Sequence, residues 1–265
     1  MTTIKASNRT FNAGYIGFDL RRNLRMFSTV FFAVGLPVMM FLIFGSMSEF
    51  SSTMNNTGRA NVTAEIMVAM AVYGAVTASV TLSGSAAVEL QQGWGRQLGL
   101  TPFSTGGYIL SKVVVGLTFA LLPIAAVYIA GAVIGARMDG WVWPASAGLI
   151  LFGSIVFALY GLAFGLTLRS EAAVGAASGI VVVLMFIGNA FTPLTGFLLD
   201  ISPYTPVWGV GRLAAWPLND GVYYDVQAQQ RVEYELWMPL VNIAVWATVF
   251  AIVCILGSRR STGRR

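Results

Sequence analysis

The sequence predicts an all-α integral membrane protein with six transmembrane helices and an amphipathic segment ahead of the first. Two observations carry that prediction. Of the 265 residues, 56% are hydrophobic and only 10% charged, with a mean hydropathy of +0.73, a balance more apolar than a water-soluble domain of this size can use. Apolar stretches of about 20 residues also recur from end to end, each long enough to cross a hydrocarbon core of roughly 30 Å. One membrane domain over residues 1–265 accounts for the whole chain.

Residues 8–26 come first. At helical spacing Ala13, Ile16, Leu20, Leu24 and Phe27 fall in one stripe with Arg21, Arg22 and Arg25 turned away, the pattern of a helix lying in the membrane interface. Tyr15 and Phe18 interrupt its polar face. A cleaved leader fits poorly, because the charged stretch is long and the apolar run after it has the length of a span. The spans are read at 27–47, 66–88, 113–135, 144–168, 172–197 and 237–257. Two connections are long: 48–65 is polar and rich in Asn, Ser and Thr, whereas 198–236 mixes Pro, Trp, Tyr and acids. Trp141, Trp143 and Trp237 stand at span ends, as interfacial anchors do. The spacings Gly131/Gly135, Gly161/Gly165 and Gly175/Gly179 permit close helix approach.

Charge asymmetry gives the orientation, because Lys and Arg are retained on the cytoplasmic side. With the N-terminus inside, the cytoplasmic face holds Lys5, Arg9, Arg21, Arg22, Arg25, Arg96, Lys112, Arg169, Arg259, Arg260, Arg264 and Arg265 against Asp19, Glu89 and Glu171. The outer face holds Arg59, Arg137, Arg212 and Arg231 against eight acids, Glu49, Glu65, Asp139, Asp200, Asp220, Asp225, Glu233 and Glu235. Both termini are therefore expected in the cytoplasm. The net charge of +5 is explained by anionic lipid headgroups and calls for no nucleic acid.

Several function classes are excluded or disfavoured. The chain has no histidine, which removes imidazole-based metal sites and the Ser-His and Cys-His constellations. Its one cysteine, Cys254, forms no internal disulfide. No Asp, Glu, Lys, Arg or His falls within the six apolar cores as drawn, only milder groups such as Asn189 and Asn242, so a proton- or sodium-coupled carrier is disfavoured and an outside energy source is simpler. No phosphate-cradling G-x-x-x-x-G-K-[ST] loop is present, so a nucleotide drive would need a separate subunit.

The cytoplasmic loop 89–112 is the most informative stretch. Glu89 ends the second span, a turn containing Gly93, Gly95 and Arg96 comes next, then Leu98 and a Thr101-Pro102 pair, and Tyr108 and Lys112 lead into the third span. Together with the topology, these features resemble the permease of the type-2 ABC exporter family, which carries drugs, antibiotics and polysaccharides. The resemblance implies a coupling helix at about 91–100 that docks on an ATPase subunit, with Glu89, Gln92, Gly93, Arg96, Leu98, Thr101 and Pro102 as coupling residues. Glycines at 93, 95 and 99 predict that this lever is short, since each disfavours helix by up to about 1 kcal/mol relative to Ala. The resemblance also makes residues 8–26 the family's elbow helix. It likens the proline-punctuated run from Pro193 through Gly196 and Asp200 to Pro206 to a re-entrant outer turn between spans five and six. The rest of that outer segment has no counterpart.

By the same resemblance the substrate path runs between two permease copies, past Phe27, Phe31, Phe32, Phe44, Tyr73, Phe186, Asn189 and Phe191. Such a lining suits a hydrophobic or amphipathic cargo. The implied protein is not itself an enzyme. It binds no metal or cofactor of its own, with ATP and Mg2+ on the partner ATPase, and it works beside a second permease copy in the plasma membrane in multidrug efflux or antibiotic resistance. Export of a lipid-linked polysaccharide or lipid is the alternative within the family. An ATP-independent channel or carrier is the alternative outside it. A membrane enzyme using Asp200, Asp220 and Asp225 is a third, against which a solvated acidic rim is the simpler account.

Overall fold

Backbone polar groups in so apolar a chain must bond within their own segment, which leaves helices as the economical solution. The computed structural model describes residues 13–47, 53–55, 57–94, 105–225 and 230–262. An N-terminal helix α1 (Ala13–Leu24) is succeeded by a first span built of α2 (Phe27–Val30), a π-helical turn (Phe31–Gly35) and α3 (Leu36–Met47). Pro37 explains the π turn. It lacks the N–H that would bond Ala33, so the helix widens where that carbonyl is released.

Helix α4 (Val62–Glu89) is the central post, with α5 (Thr105–Ile134), α6 (Val142–Leu168) and α7 (Glu171–Ile187) packed on it. Its small residues let neighbours close in. A Cβ on Gly74 would lie 2.5 Å from Pro123 Cβ and 3.0 Å from the Ala33 carbonyl. Gly161 and Gly165 of α6 meet α4 backbone, where an added Cβ would run into the Val80 and Gly84 carbonyl oxygens. That pair acts as expected. The other two pairs do not: Gly131 meets the Met67 side chain, Gly135 turns the chain at φ 108°, and Gly175 and Gly179 face open space.

Among the described residues, five helices are long and apolar enough to cross a membrane, beginning at Phe27, Val62, Gly106, Val142 and Trp237. Three boundaries differ from the sequence reading. Helix α5 begins well before residue 113 and so takes in Lys112. Glu65, likewise, lies in the first turn of α4. Helix α7 stops at Ile187 after 17 residues rather than running to 197, because Gly188 caps it and Asn189 adopts φ 55°. Beyond that stop lie α8 (Gly196–Ile201), a 3-10 turn (Ser202–Tyr204) and α9 (Pro206–Asn219), which packs on α6 and α4.

Left-handed Asp220 and Gly221 turn α9 into a hairpin of β1 (Val222–Asp225) and β2 (Gln230–Glu233), with Tyr223 opposite Val232. The last helix, α10 (Trp237–Thr262), returns along α6. Trp141 and Trp237 are exposed at helix starts, while Trp143 is half-buried and donates to the Met138 carbonyl.

Candidate functional site

The pairings of Gly161 with Val80 and of Gly165 with Gly84 make α4 and α6 parallel, so Glu89 and Arg169 lie at one end of the bundle. Helix α1 closes that end. Its inward face presents Asp19 and Asn23, both buried, whereas Ala13, Phe18 and Leu24 are exposed. The side facing the protein thus mixes the two kinds, with Ile16 and Leu20 packed on the bundle core beside buried Asp19 and Asn23. Apolar residues such as Phe18 and Leu24 are left outward for lipid, as an interfacial helix requires.

Lys112 is the reason Asp19 can be buried. Both side chains are only 2% exposed, and the Lys112 ammonium donates to Asp19 Oδ1 at 3.0 Å and reaches Glu89 Oε2 at 2.9 Å. Arg22 donates to Glu89 Oε1 at 2.5 Å and lies 3.7 Å from Asp19 Oδ1. The Tyr108 hydroxyl donates to Glu89 Oε2 as well, and Tyr15 packs on Tyr108 with ring centres 5.7 Å apart. Two acids therefore face two bases across three elements, and the cluster is neutral. Burial works against the charge on Arg22, but the hydrogen bond and charge of Glu89 outweigh it, so its pKa is raised. Burial, and then the charge of Asp19, push the Tyr15 phenol up, which keeps it neutral.

The arrangement ties three helices together at one end of the bundle. Glu89 stands just before residues 90–104 and Lys112 two turns into the helix that comes after them, so α1 ties together the two helices that flank that stretch. Past Glu89 the chain makes a π-helical turn (Leu90–Trp94) that breaks at Gly93, where φ is 112°. The expected interruption at that glycine is present. Gln92 is exposed. Arg96, Leu98, Thr101 and Pro102 lie outside the described residues. Both Glu89 oxygens are engaged within the chain, which makes it a root anchor rather than a free surface charge.

Sequence reasoning counted Asp19 and Lys112 only as loop charges and missed their pairing with each other. Two signals were available. Asp19 is the single acid in the basic N-terminal segment, and Tyr108 and Lys112 are spaced i, i+4 at the start of an apolar helix. The six apolar cores as drawn do lack ionisable groups, but the helices run beyond them, and Glu65, Glu89 and Lys112 lie in those extensions.

The residues assigned to a substrate path fall into two groups of ring contacts. Phe27 stacks on Phe31 at 5.8 Å and Phe31 meets Phe32 edge-on at 5.4 Å, with Phe27 itself 82% exposed. Elsewhere Phe191 joins Tyr73 at 5.4 Å to Phe186 at 5.1 Å. Asn189 braces the turn beside that second group, its Oδ1 accepting from the Leu194 N–H at 2.9 Å. Phe44 is exposed.

At the opposite end of the bundle, Asn61 caps α4. Its Oδ1 accepts from the Ala64 and Arg137 N–H groups at 3.0 and 2.9 Å, and its Nδ2 donates to the Gly135 carbonyl at 2.9 Å. Asn55 and Thr57 both donate to the Leu218 carbonyl, and Arg59 pairs with Asp220 at 2.6 Å, tying this loop to α9. Of the acids proposed as catalytic, Asp220 is thus engaged in an ion pair and Asp200 is exposed. Among the described residues, no group of three or more His, Cys, Asp or Glu could hold a metal ion. Set against known proteins, the chain matches no protein-family model and no curated protein sequence.

Proposed function

We propose that this chain is the membrane-spanning permease subunit of an ATP-driven exporter of the type-2 ABC kind, moving a hydrophobic or amphipathic drug or antibiotic across the plasma membrane. The supporting observation is the latch of Asp19, Arg22, Glu89 and Lys112. A subunit driven from outside must pass force from a soluble partner into its spans, and a loop whose two flanking helices are tied together by one interfacial helix is a rigid way to do so. In this reading α1 is the elbow, residues 91–100 dock on the ATPase, and ATP and Mg2+ are bound there, while a second permease copy completes the path.

The count reaches six crossings if α7 spans as well. Its 17 residues extend about 25 Å, near the lower limit for a membrane helix. The helices α8 and α9 then form the re-entrant outer turn. Val210 of α9 packs where Gly153 of α6 has no side chain, 11 residues along that helix from Val142, or about 16 Å deep. The excess of basic residues at the latch end supports a cytoplasmic placement of both termini.

Buried ionisable groups are also what an ATP-independent carrier would use. The buried groups of the latch are charge-balanced and gather where α4 and α5 end, which favours a latch over an ion relay there. Co-purification with an ATPase encoded beside this gene, and cross-linking of a Gln92→Cys variant to it in a Cys254→Ser background, test the reading. Reconstituted vesicles should move a lipophilic dye only with that ATPase and ATP, and Arg96→Glu should uncouple hydrolysis from transport. Dye flux through the chain alone would overturn the proposal. A Thr262→Cys tag that labels readily with impermeant reagent in intact cells would overturn the orientation.

A further inference from the structure

A second buried cation, Arg212, stands at the end of the bundle opposite the latch, and its surroundings owe nothing to the exporter reading. Trp208 and Arg212 lie one turn apart on α9, at 1% and 6% exposure. The guanidinium carbon sits 3.5 Å from the centre of the Tyr223 ring on β1 and 5.7 Å from that of Tyr234, which meets Trp208 edge-on at 5.1 Å. Arg212 Nη2 donates to the Asn189 carbonyl at 3.4 Å.

Three buried polar groups of this one cluster have no hydrogen-bond partner among the described residues: Arg212 Nε, Trp208 Nε1 and the Tyr223 hydroxyl. The first two can only donate, and the third donates readily. The nearby charges leave that capacity unused. Glu65 is close enough for its charge to act on Arg212, but its Oε1 accepts from Asn55 at 3.2 Å and it makes no ion pair with the guanidinium among the described residues. Arg59 and Asp220 are paired with each other.

We propose that this cluster binds a phosphate-type oxyanion, carried on a lipid headgroup or free in solution. A guanidinium whose flat face is covered by an aromatic ring offers only its N–H edge, the edge that recognises tetrahedral oxyanions, and the indole N–H and phenol O–H supply the further donors such a group accepts. The hairpin that carries Tyr223 makes the site dependent on the outer segment. That gives Tyr223 and Tyr234 of the outer segment a role in ligand recognition.

The test uses the full chain purified in phosphate-free nonionic detergent. Sodium phosphate is titrated against sodium chloride at equal ionic strength by calorimetry, and native mass spectrometry monitors retention of added phosphatidylglycerol. One probe should bind saturably with one equivalent per chain. Tyr223→Phe keeps its ring and removes only the hydroxyl, and Trp208→Phe removes the indole N–H while leaving a smaller aromatic ring, so each should weaken binding about tenfold. Phosphate binding assigns the site to a soluble anion; phosphatidylglycerol retention without a phosphate response assigns it to a headgroup. Failure of both probes to bind, or binding unchanged in both variants, overturns the proposal.

Discussion

Replacing Lys112 by Met tests whether the latch holds the helix-end cluster together. Met keeps most of the apolar stem and deletes the ammonium that lies 3.0 Å from Asp19 and 2.9 Å from Glu89. Glu89 would retain Arg22 and Tyr108. Asp19 would not fare as well: it is 2% exposed, and among the described residues its Oδ2 already lacks a partner and its remaining cation is Arg22 at 3.7 Å. Removing one member of a buried pair typically destabilises by about 3–5 kcal/mol, since the other charge is left buried and uncompensated. Removing both members lifts most of that penalty, so Asp19→Asn combined with Lys112→Met should recover the larger part of the loss. The assay is denaturant or thermal unfolding in detergent, monitored with a thiol-reactive dye on Cys254, the chain's one cysteine. A Lys112→Met protein as stable as wild type, or a double variant no more stable than Lys112→Met alone, would refute the reasoning.

Other predictions rest on separate contacts. Gly161→Ala and Gly165→Ala each drive a Cβ into α4 backbone, which cannot yield as a side chain can, and each should destabilise by about 1–3 kcal/mol in the same unfolding assay. Gly175→Ala and Gly179→Ala meet nothing within 4 Å and should leave unfolding of the single chain unchanged or slightly more favourable to the folded state. Asn61→Ala removes the α4 cap and two further bonds to the 135–137 turn, with an expected loss of about 2 kcal/mol, and increased proteolysis of that loop in a time course is the second readout. Gly93→Ala places a Cβ at φ 112° and should destabilise the turn by about 1–3 kcal/mol, visible as faster amide exchange at residues 90–94.

How far each feature was legible in the sequence depended on the kind of physics behind it. Helices α4, α6 and α10 come from uninterrupted apolar runs, because length and hydropathy are properties of the segment alone. The break at Gly93 was legible for the same reason: glycine's preference is local. The early stop of α7 was harder, since Gly188 and Asn189 read as ordinary span residues until Asn189 takes a left-handed conformation supported by its own bond to Leu194. The hairpin 222–233 sits in a mixed stretch whose strands depend on pairing with each other, with Tyr223 held under Arg212.

The latch was hidden for a different reason. A hydropathy reading places charges outside the spans because isolated charges are costly there, and it then treats every such charge as solvated. Asp19, Arg22, Glu89 and Lys112 come from three elements, and no one of them is short of solvent in its own segment. Only closure of α1 over the ends of α4 and α5 removes the water and makes each charge depend on the others. A cluster of this kind fixes geometry at the cost of intrinsic stability, since apolar residues would bury there with no desolvation penalty. Retaining four charges where α1 crosses the ends of α4 and α5 therefore makes sense where the angle between those helices must be held, which is what the proposed coupling role would require.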